Sequence, residues 1–308
     1  MIQNSGAVSQ QFLTNLQLLQ QQMAATQQQI SSGTKISRPS DAPNSVGDVL
    51  QLESDLGHVN QVTANLNLVS GEVNSAESAL QSATQLLDQV ASLAAQGVGS
   101  TVSATSRTTF SQQVGQILST LVSTSQTQFN GAYVFGGDQS TSPSYQLDLS
   151  NANGVDRLTT TQSTRLIQDA SGITFAVSKT AQDIFDHRNP DDTLASDNIF
   201  AAVNSLRVAL ANNDQPGISA AITSIKAAQD YLSQQLAFYG GVQNQITNAQ
   251  DVAQKFQLQD QTALGPLKDT DMAAASVAMT QQPASYQAAI EAEAAMPKTS
   301  LFSYLTGN

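Results

Sequence analysis

The sequence predicts a mainly α-helical, elongated protein: an antiparallel coiled-coil bundle formed by both halves of the chain, with a small inserted β domain. Three observations support this prediction. Apolar residues recur at alternating steps of three and four near both ends and through long internal stretches, which is the heptad pattern of packed helices. That pattern disappears between residues 131 and 193. Aromatic residues make up only 5% of the 308-residue chain, which suits slender helices with thin seams.

The first predicted helix carries an apolar heptad row near the start of the chain. The row consists of Phe12, Leu16, Leu19, Met23, Thr26 and Ile30. Ser31-Ser32-Gly33 follows it, and a glycine at this place commonly ends a helix. Two prolines and Ser40-Asp41 within residues 34–43 then predict a bend followed by a new helix start.

The longest predicted helix runs from about residue 44 to residue 96. Its heptad row contains one extra step of three between Leu66 and Val69, which predicts a stammer with local overwinding. A turn at residues 97–106 separates it from a third helix. We expect that helix to end at Asn130-Gly131, and its apolar face consists of Phe110, Val114, Ile117, Leu121 and Thr124.

Short alternating stretches, split by Asn-Gly and Ser-Gly pairs, predict a small antiparallel β module after the third helix. The helical pattern resumes at Leu194 and breaks at residues 212–217. A second long helix then continues to a break predicted at Gly265-Pro266. The terminal heptad row beyond that break consists of Met272, Ser276, Met279, Pro283, Tyr286 and Ile290. Pro283 lacks a backbone donor and is expected to disturb this last helix.

These breaks divide the chain into three predicted parts. The parts are terminal helical assembly segments at residues 1–40 and 268–308, a central long-helix bundle at 41–130 and 194–267, and an inserted β-rich domain at 131–193. The terminal segments are rich in Gln and Ala, so an isolated pair of them would be marginally stable in water. We therefore expect their heptad rows to be buried between subunits.

The composition limits the possible partners. The net charge is −12, and the twelve Lys and Arg residues are scattered singly, which disfavours binding to nucleic acid or to an anionic membrane. The absence of cysteine excludes disulfides and thiolate metal sites. No apolar run reaches the ~18 residues of a membrane span. The first dozen residues lack the basic and apolar regions of a cleavable signal peptide.

Catalytic and metal-binding patterns are also missing from the sequence. His58 is expected on a helix surface. The acidic segment around His187 has several carboxylates, but a metal or acid–base site would need them to converge on one point. Asn189-Pro190-Asp191 instead predicts a turn, and we expect these acids to form a solvated loop. We therefore predict no enzymatic activity, no cofactor and no metal site.

Two segments carry a resemblance to the flagellin-type proteins. Residues 29–43, QISSGTKISRPSDAP, are similar to the bend after the first helix of that family. Residues 269–273, DTDMA, are similar to the opening of its last helix. The form Pro39-Ser40-Asp41-x-Pro43 is more similar to the hook-associated members than to the filament flagellins. Weaker similarities cover the rest of the chain: residues 130–137 and 181–185 resemble the entry to and exit from the β domain, and 300–305 the closing tail.

The resemblance implies a non-enzymatic structural component of the bacterial flagellum, a homopolymeric ring that links the hook to the filament. It implies terminal segments that are disordered in the monomer and form coiled-coil packing on assembly. The implied partners are further copies of the chain, a neighbouring hook-associated protein, flagellin and a cytoplasmic export chaperone. The chain would leave the cell through the flagellar type III apparatus without a cleaved signal peptide and reside in the extracellular flagellum.

The residues predicted to mediate assembly and partner binding lie in the two terminal segments. They are Phe12, Leu16, Leu19, Met23, Ile30, Met272, Met279, Tyr286, Ile290, Leu301, Phe302, Tyr304 and Leu305. Three alternatives stay open: a filament flagellin, a secreted coiled-coil adhesin or translocator, and an enzyme built on the acidic segment. Only the last predicts that replacing Asp186 and Asp191 by Asn abolishes an activity. The structural interpretation predicts unchanged motility for that variant.

Overall fold

The computed structural model describes residues 2–36, 38, 40 and 42–295. The predicted tail residues Leu301, Phe302, Tyr304 and Leu305, and Pro39 and Asp41 of the bend, lie outside this range. Among the described residues the α-helices are α1 (Ile2–Ser32), α2 (Val46–Gly97), α3 (Ala104–Ser125), α4 (Ala181–Phe185), α5 (Ile199–Ala211), α6 (Gln215–Lys268) and α7 (Met272–Ala295). The strands are β1 (Gln128–Phe129), β2 (Ala132–Tyr133), β3 (Tyr145–Leu147), β4 (Val155–Arg157), β5 (Leu166–Gln168) and β6 (Thr174–Ala176). The mainly helical fold with a small β insert is confirmed.

The chain divides into two compact units. The terminal unit contains the described residues up to Gly57 and those from Gln257 onwards, and the central unit spans His58–Phe256. These limits fall inside α2 and α6, whereas the sequence places its boundaries at the bend and near Gly265-Pro266. The domain assignment drawn from the sequence stays a prediction.

Helices α2 and α6 run antiparallel within the central unit, and polar side chains fix their register. Gln229 Nε2 donates to Asp88 Oδ1 at 2.8 Å, and Gln250 Nε2 donates to Asn67 Oδ1 at 2.8 Å. Between these two pairs, each step forward along α6 corresponds to an equal step back along α2. A slip of one residue would break both hydrogen bonds at once.

The heptad row of α2 in the central unit is regular and contains no stammer. Apart from Ala79, which is buried beside Leu80, its buried apolar residues alternate steps of three and four: Val59, Val62, Leu66, Val69, Val73, Ala76, Leu80, Ala83, Leu87, Val90 and Ala94. The extra step of three is not between Leu66 and Val69, because Val62, and not Thr63, occupies the core position; counted from Val49 through Leu52 and Leu56, it falls at Val59. Thr63 is only half-buried, and its hydroxyl donates to the carbonyl of Val59 at 2.9 Å. A hydroxyl that can bond back to its own helix is better placed at the edge of the seam than in it.

Helix α3 ends five residues earlier than the sequence predicts. Hydroxyl groups near its end bond to its own carbonyls: Ser125 Oγ donates to Val122 O at 2.7 Å and Thr127 Oγ1 to Thr124 O at 2.7 Å. Such local bonds compete with continued helix. Asn130 and Gly131 have φ of 50° and 82°, and they form the two-residue turn between β1 and β2.

The β insert consists of three separate antiparallel pairs, β1–β2, β3–β4 and β5–β6. The antiparallel pairing is as predicted, but the strands do not join into one sheet. The same side-chain device shapes three of its turns: Asp148, Asp169 and Asp191 each accept the backbone N–H and the hydroxyl of the Ser or Thr two residues later. The strands of the insert are too short for long ladders of backbone hydrogen bonds, and these Asx turns order the backbone instead.

The few aromatic residues are concentrated where the β insert meets the helices of the central unit. Phe185 lies 5.6 Å from Phe135 and 5.8 Å from Phe200, measured between ring centroids. Tyr145 lies 5.4 Å from Phe200, and Tyr239 of α6 lies 6.3 Å from Phe135. The few aromatic residues therefore still form a dense cluster, which lies where the β insert packs on the helices of the central unit.

The second half of the chain differs from prediction at two helix boundaries. Helix α5 begins at Ile199 and not at Leu194, because the side chain of Asn198 accepts the backbone N–H of Ala201 and acts as the N-cap. Helix α6 continues through Pro266 to Lys268, so the predicted break at Gly265-Pro266 is wrong. The chain leaves the helix only two residues after the proline.

Candidate assembly surface

The terminal unit has almost no core of its own. Among the described residues, only two of the buried apolar ones, Val49 and Ala275, belong to it. Eight of the sixteen large apolar side chains that are exposed belong to it as well. They are Leu13, Leu18, Leu50, Leu258, Met272, Val277, Met279 and Ile290. A unit that exposes more large apolar side chains than it buries gains little from hydrophobic burial as a monomer.

Helices α1 and α7 pack against each other in antiparallel orientation within this unit. Gln20 Nε2 donates to the hydroxyl of Tyr286 at 2.9 Å, and Gln282 Nε2 donates to Thr26 Oγ1 at 3.1 Å. Thr26 is buried. The other members of the predicted α1 row are all half-buried: Phe12, Leu16, Leu19, Met23 and Ile30. The α1 heptad row therefore lies on the side that faces α7.

Helix α7 does not use its predicted heptad row against α1. The less exposed side chains along it are Ala275, Ala278, Gln282, Tyr286, Ala289 and Glu293. Met272, Met279 and Ile290 are 48%, 45% and 43% exposed. Small alanine side chains allow the two backbones to approach closely, with Cα atoms within 8 Å.

The packing of α7 corrects one part of the sequence interpretation. Of the predicted row, Tyr286 is the residue that hydrogen-bonds to α1, and Met272, Met279 and Ile290 lie at the exposed edge of the same face. Their assignment as assembly residues stays a prediction, and their exposure is what that role requires. Pro283 is also exposed, and α7 is continuous through it.

A short backbone clasp joins the end of α1 to the junction between α6 and α7. The clasp consists of residues 33–35 and 268–270, which meet at an isolated antiparallel bridge. Lys35 N donates to Lys268 O at 2.6 Å, and Thr270 N donates to Gly33 O at 3.0 Å. Gly33 has φ of 71°, a conformation that glycine adopts at little cost. The two segments that carry the family resemblance are thus in direct contact.

Side chains support both strands of the clasp. Gln29 Nε2 donates to Lys35 O at 3.3 Å, and Lys268 Nζ lies 2.5 Å from Glu53 Oε1. Asp271 Oδ1 accepts the backbone N–H groups of Ala273 and Ala274, each at 3.0 Å, and so caps the start of α7. The end of α1 and the start of α7 are therefore held together by main-chain hydrogen bonds as well as by side-chain packing.

In the central unit, Asp186 is fully buried, so the expectation of a solvated acidic loop is wrong for this residue. Its carboxylate accepts four hydrogen bonds. The donors are Tyr145 OH at 3.1 Å, Asn153 Nδ2 at 3.0 Å, Arg188 Nε at 2.8 Å and Asn198 Nδ2 at 2.8 Å. Burial, together with the neighbouring Asp186 carboxylate, raises the pKa of Tyr145. Asp191 is exposed in a turn, as expected.

The arrangement around Asp186 is that of a structural hub. Its donors come from the β3–β4 region and from the segment between α4 and α5, so one carboxylate ties together several short elements. All four donors hydrogen-bond to a carboxylate that is fully buried. The hub accounts for the acidic residue in the sequence without invoking chemistry.

His187 also has a packing role. Its Nδ1 lies 2.6 Å from Asp197 Oδ1, and its ring stacks on Tyr231 with centroids 4.4 Å apart. Burial, followed by the charges of Asp197 and Asp183, raises the pKa of Tyr231 to about 12. His58 is exposed, as predicted. In the described part of the chain, no group of three or more His, Asp or Glu side chains is placed to hold a metal ion, and no helix there is both long and apolar enough to cross a membrane.

Arg107 is a buried residue of α3 that sequence reasoning missed. Its guanidinium donates to Gly97 O and Gly99 O, both at 2.8 Å, and to Asn213 Oδ1 at 2.5 Å. These contacts place a cation at the C-terminal end of α2, where the helix dipole is negative. The only sequence signal is indirect: the last turn of α2 has no basic residue of its own.

Comparison with known proteins finds similarities to flagellar proteins in both sequence and structure. Residues 4–140 match the sequence model of the bacterial flagellin N-terminal helical region. No curated protein matches the chain in sequence. A Vibrio parahaemolyticus protein described as a flagellar hook-associated protein has a similar structure, with 17% identity, a TM-score of 0.65, and coverage of 74% of this chain and 100% of its own.

Two further solved structures are similar. Flagellar hook-associated protein 3 from Legionella pneumophila is 13% identical with a TM-score of 0.61, and the match covers 71% of this chain and 98% of that one. FlgL from Bacillus cereus is 15% identical with a TM-score of 0.55, covering 71% of this chain and 100% of that one. Residues 4–140 are therefore similar in sequence to the N-terminal helical region of the bacterial flagellins, and the chain has the fold of these hook-associated proteins.

Proposed function

We propose that the chain is a non-enzymatic structural component of the bacterial flagellum that forms a homopolymeric ring between hook and filament. One observation supports this most strongly: the terminal unit exposes large apolar side chains and has almost no core. Association with other copies would bury those side chains and supply the missing core. The fold shared with the hook-associated proteins from Vibrio and Legionella favours the junction over other places in the flagellum.

The proposed partners follow from the position of such a ring. One side would contact a neighbouring hook-associated protein, and the other would contact flagellin. The chain would travel as an unfolded polypeptide through the flagellar type III export apparatus, with a cytoplasmic chaperone on its C-terminal region. Terminal segments that lack a core are suited to this route, since they lose little on unfolding. The same property supports the proposal that they become ordered only on assembly.

A deletion strain tests the proposal directly. We expect cells without this chain to form hooks that carry no filament and to release flagellin into the medium. Expression of the intact chain from a plasmid should restore filaments. Electron microscopy of isolated hooks is the measurement, and hooks that still carry full filaments in the deletion strain would contradict the junction assignment.

The match to the flagellin N-terminal region favours a second candidate, a filament flagellin. Immunogold labelling of an epitope-tagged chain distinguishes the two. Label confined to one band where hook meets filament supports the junction ring, whereas label along the whole filament supports the flagellin. A secreted adhesin or translocator predicts neither pattern, and purified protein would then bind host cells or lipid vesicles.

A further inference from the structure

The sequence contains two Asn-Gly pairs, and the structure places them in opposite environments. The pairs are Asn130-Gly131 and Asn153-Gly154, both in the central unit. An asparagine side chain loses ammonia when the backbone nitrogen of the next residue attacks its amide carbon. Glycine favours this attack because it has no Cβ to hinder the approach of its backbone. The two pairs therefore have the same intrinsic chemistry, and only their surroundings differ.

Asn130 and Gly131 lie in an exposed turn. Both residues are exposed, and they form the two-residue connection between β1 and β2. A Cβ added at Gly131 would have no atom of the described residues within 4 Å, its chain neighbours aside. The backbone of Gly131 has φ of 82°, which glycine adopts at little cost. This pair therefore has the room to move that ring closure requires.

Asn153 and Gly154 are instead held by hydrogen bonds and by packing. Asn153 is buried, and its Nδ2 donates to Asp186 Oδ1 at 3.0 Å. The nitrogen that would attack, Gly154 N, donates to Asn151 O at 2.9 Å. A Cβ added at Gly154 would lie 2.7 Å from Leu118 Cδ2, so the backbone there has no room to move. Ring closure would break both hydrogen bonds, one of them to a charged group.

From this contrast we infer that Asn130 is a site of spontaneous covalent modification and that the fold protects Asn153. Gly131 N attacks Asn130 Cγ, the new C–N bond forms, and the Cγ–Nδ2 bond breaks. Ammonia leaves with the proton of Gly131 N. Water then opens the succinimide ring at one of its two carbonyl carbons and gives aspartate or isoaspartate. Nothing is oxidised or reduced: an NH₂ group is exchanged for OH, which adds one negative charge at neutral pH.

The modified residue lies beside a close contact between the β1–β2 hairpin and α2. Phe129 packs so tightly on Gly71 that a Cβ added at Gly71 would lie 2.6 Å from Phe129 Cζ. Phe129 also pairs with Ala132 across the turn. Isoaspartate adds the Cβ methylene group of Asn130 to the main chain, and the register of a two-residue turn depends on its length. We therefore expect isoaspartate to loosen the hairpin and its contact with α2.

Peptide mapping of the purified full chain, incubated at mildly alkaline pH, tests this inference. Both pairs lie in the tryptic peptide that spans residues 108–157, so they are recovered together. Electron-transfer fragmentation of that peptide distinguishes isoaspartate from aspartate. In the folded chain we expect product at Asn130 to form at least about tenfold faster than at Asn153, because only the second site must lose a hydrogen bond to a charged group.

The reference is the same chain unfolded in guanidinium chloride. There the two rates should agree within about threefold, because unfolding removes the contacts that protect Asn153. A ratio below tenfold in the folded chain would overturn the inference. A ratio that stays unchanged on unfolding would overturn it as well, since the contrast would then not come from the fold. Neither measurement involves assembly, so the inference stands or falls independently of the proposed function.

The variant Asn130→Gly tests the consequence for the hairpin. Glycine suits the positive φ of this position and has no amide to cyclise. After incubation, we expect faster hydrogen exchange in β1 and β2 of the unmodified sequence and unchanged exchange in the variant. Equal exchange in the two incubated chains, with isoaspartate present at Asn130, would overturn the expected loosening of the hairpin.

Discussion

Removing the exposed apolar row of α7 should abolish assembly while leaving the monomer intact. The perturbation is the triple variant Met272→Ala, Met279→Ala and Ile290→Ala. These side chains lie at the edge of the face that packs on α1 and are 48%, 45% and 43% exposed. The α1–α7 contact itself uses the less exposed residues beside them, Ala275, Ala278 and their neighbours.

The expected magnitude follows from the exposed fractions. Full burial of a Met or Ile side chain contributes ~1.5–3 kcal/mol, so burying the remaining near-half contributes ~1 kcal/mol each. Three such side chains give ~3 kcal/mol per contact, which is roughly 150-fold in the association constant. Thermal unfolding of the central unit should be unchanged, because none of the three side chains belongs to it.

Sedimentation velocity and motility assays measure the effect. The matched control removes three exposed apolar side chains from the β insert, Leu147→Ala, Leu166→Ala and Ile173→Ala. This control should associate like the unmodified chain. If the α7 variant associated within threefold of the control, or if it changed the thermal unfolding of the central unit, the assignment of these three side chains to assembly would be refuted.

Three other predictions concern the central unit. Arg107→Ala should lower the free energy of unfolding by ~3 kcal/mol in urea titrations, because the carbonyls it bonds lose charged donors, and Arg107→Lys should recover part of it. Asp186→Asn should cost a similar ~3 kcal/mol, because each carboxylate oxygen accepts two hydrogen bonds and the amide nitrogen would face two of the four donors. Unfolding of this variant at the wild-type urea concentration would refute the hub. The pKa of Asp148 and of Asp191 is lowered, mainly by the hydrogen bond from the hydroxyl of the Ser or Thr two residues later and next by the bond from the backbone N–H of that same residue. The contribution of these two carboxylates to the stability of their turns is therefore complete above about pH 4 and is lost on acidification, which hydrogen exchange of the turns should report. The pKa of Tyr231 is raised, so its contribution to stability should be lost between about pH 10 and 12.

Helix positions were predictable because the heptad signal is local and repeated many times along the chain. The exact seam was not always predictable. Thr63 and Val62 are neighbours on α2, and the sequence alone cannot decide which one faces a partner helix. Helix α7 presents the same problem more severely, since alanine residues occur on every face of this helix and several faces are equally apolar. Only contact with α1 distinguishes the alanine face from the row of Met272, Met279 and Ile290.

Buried polar groups were the least predictable features. Asp186 lies in an acidic, turn-forming stretch, and its donors Tyr145 and Asn153 are more than thirty residues away in sequence. Arg107 likewise bonds to Asn213 across a large separation. No local pattern reveals such partners, because the pairing exists only after the elements have packed. Residues that read as solvated in a sequence can therefore be the ones that hold an insert together.

The clasp also affects the entropic cost of pairing α1 with α7. More than 200 residues separate Lys35 from Lys268, and closing a loop of that length costs about 5 kcal/mol in its length-dependent part. The clasp closes that loop with a few main-chain hydrogen bonds. Each further turn of α1 and α7 then pairs next to a turn that is already joined, as in a hairpin. Once the clasp has formed, the pairing of α1 with α7 therefore costs no more chain entropy than the pairing of two helices that are neighbours in sequence.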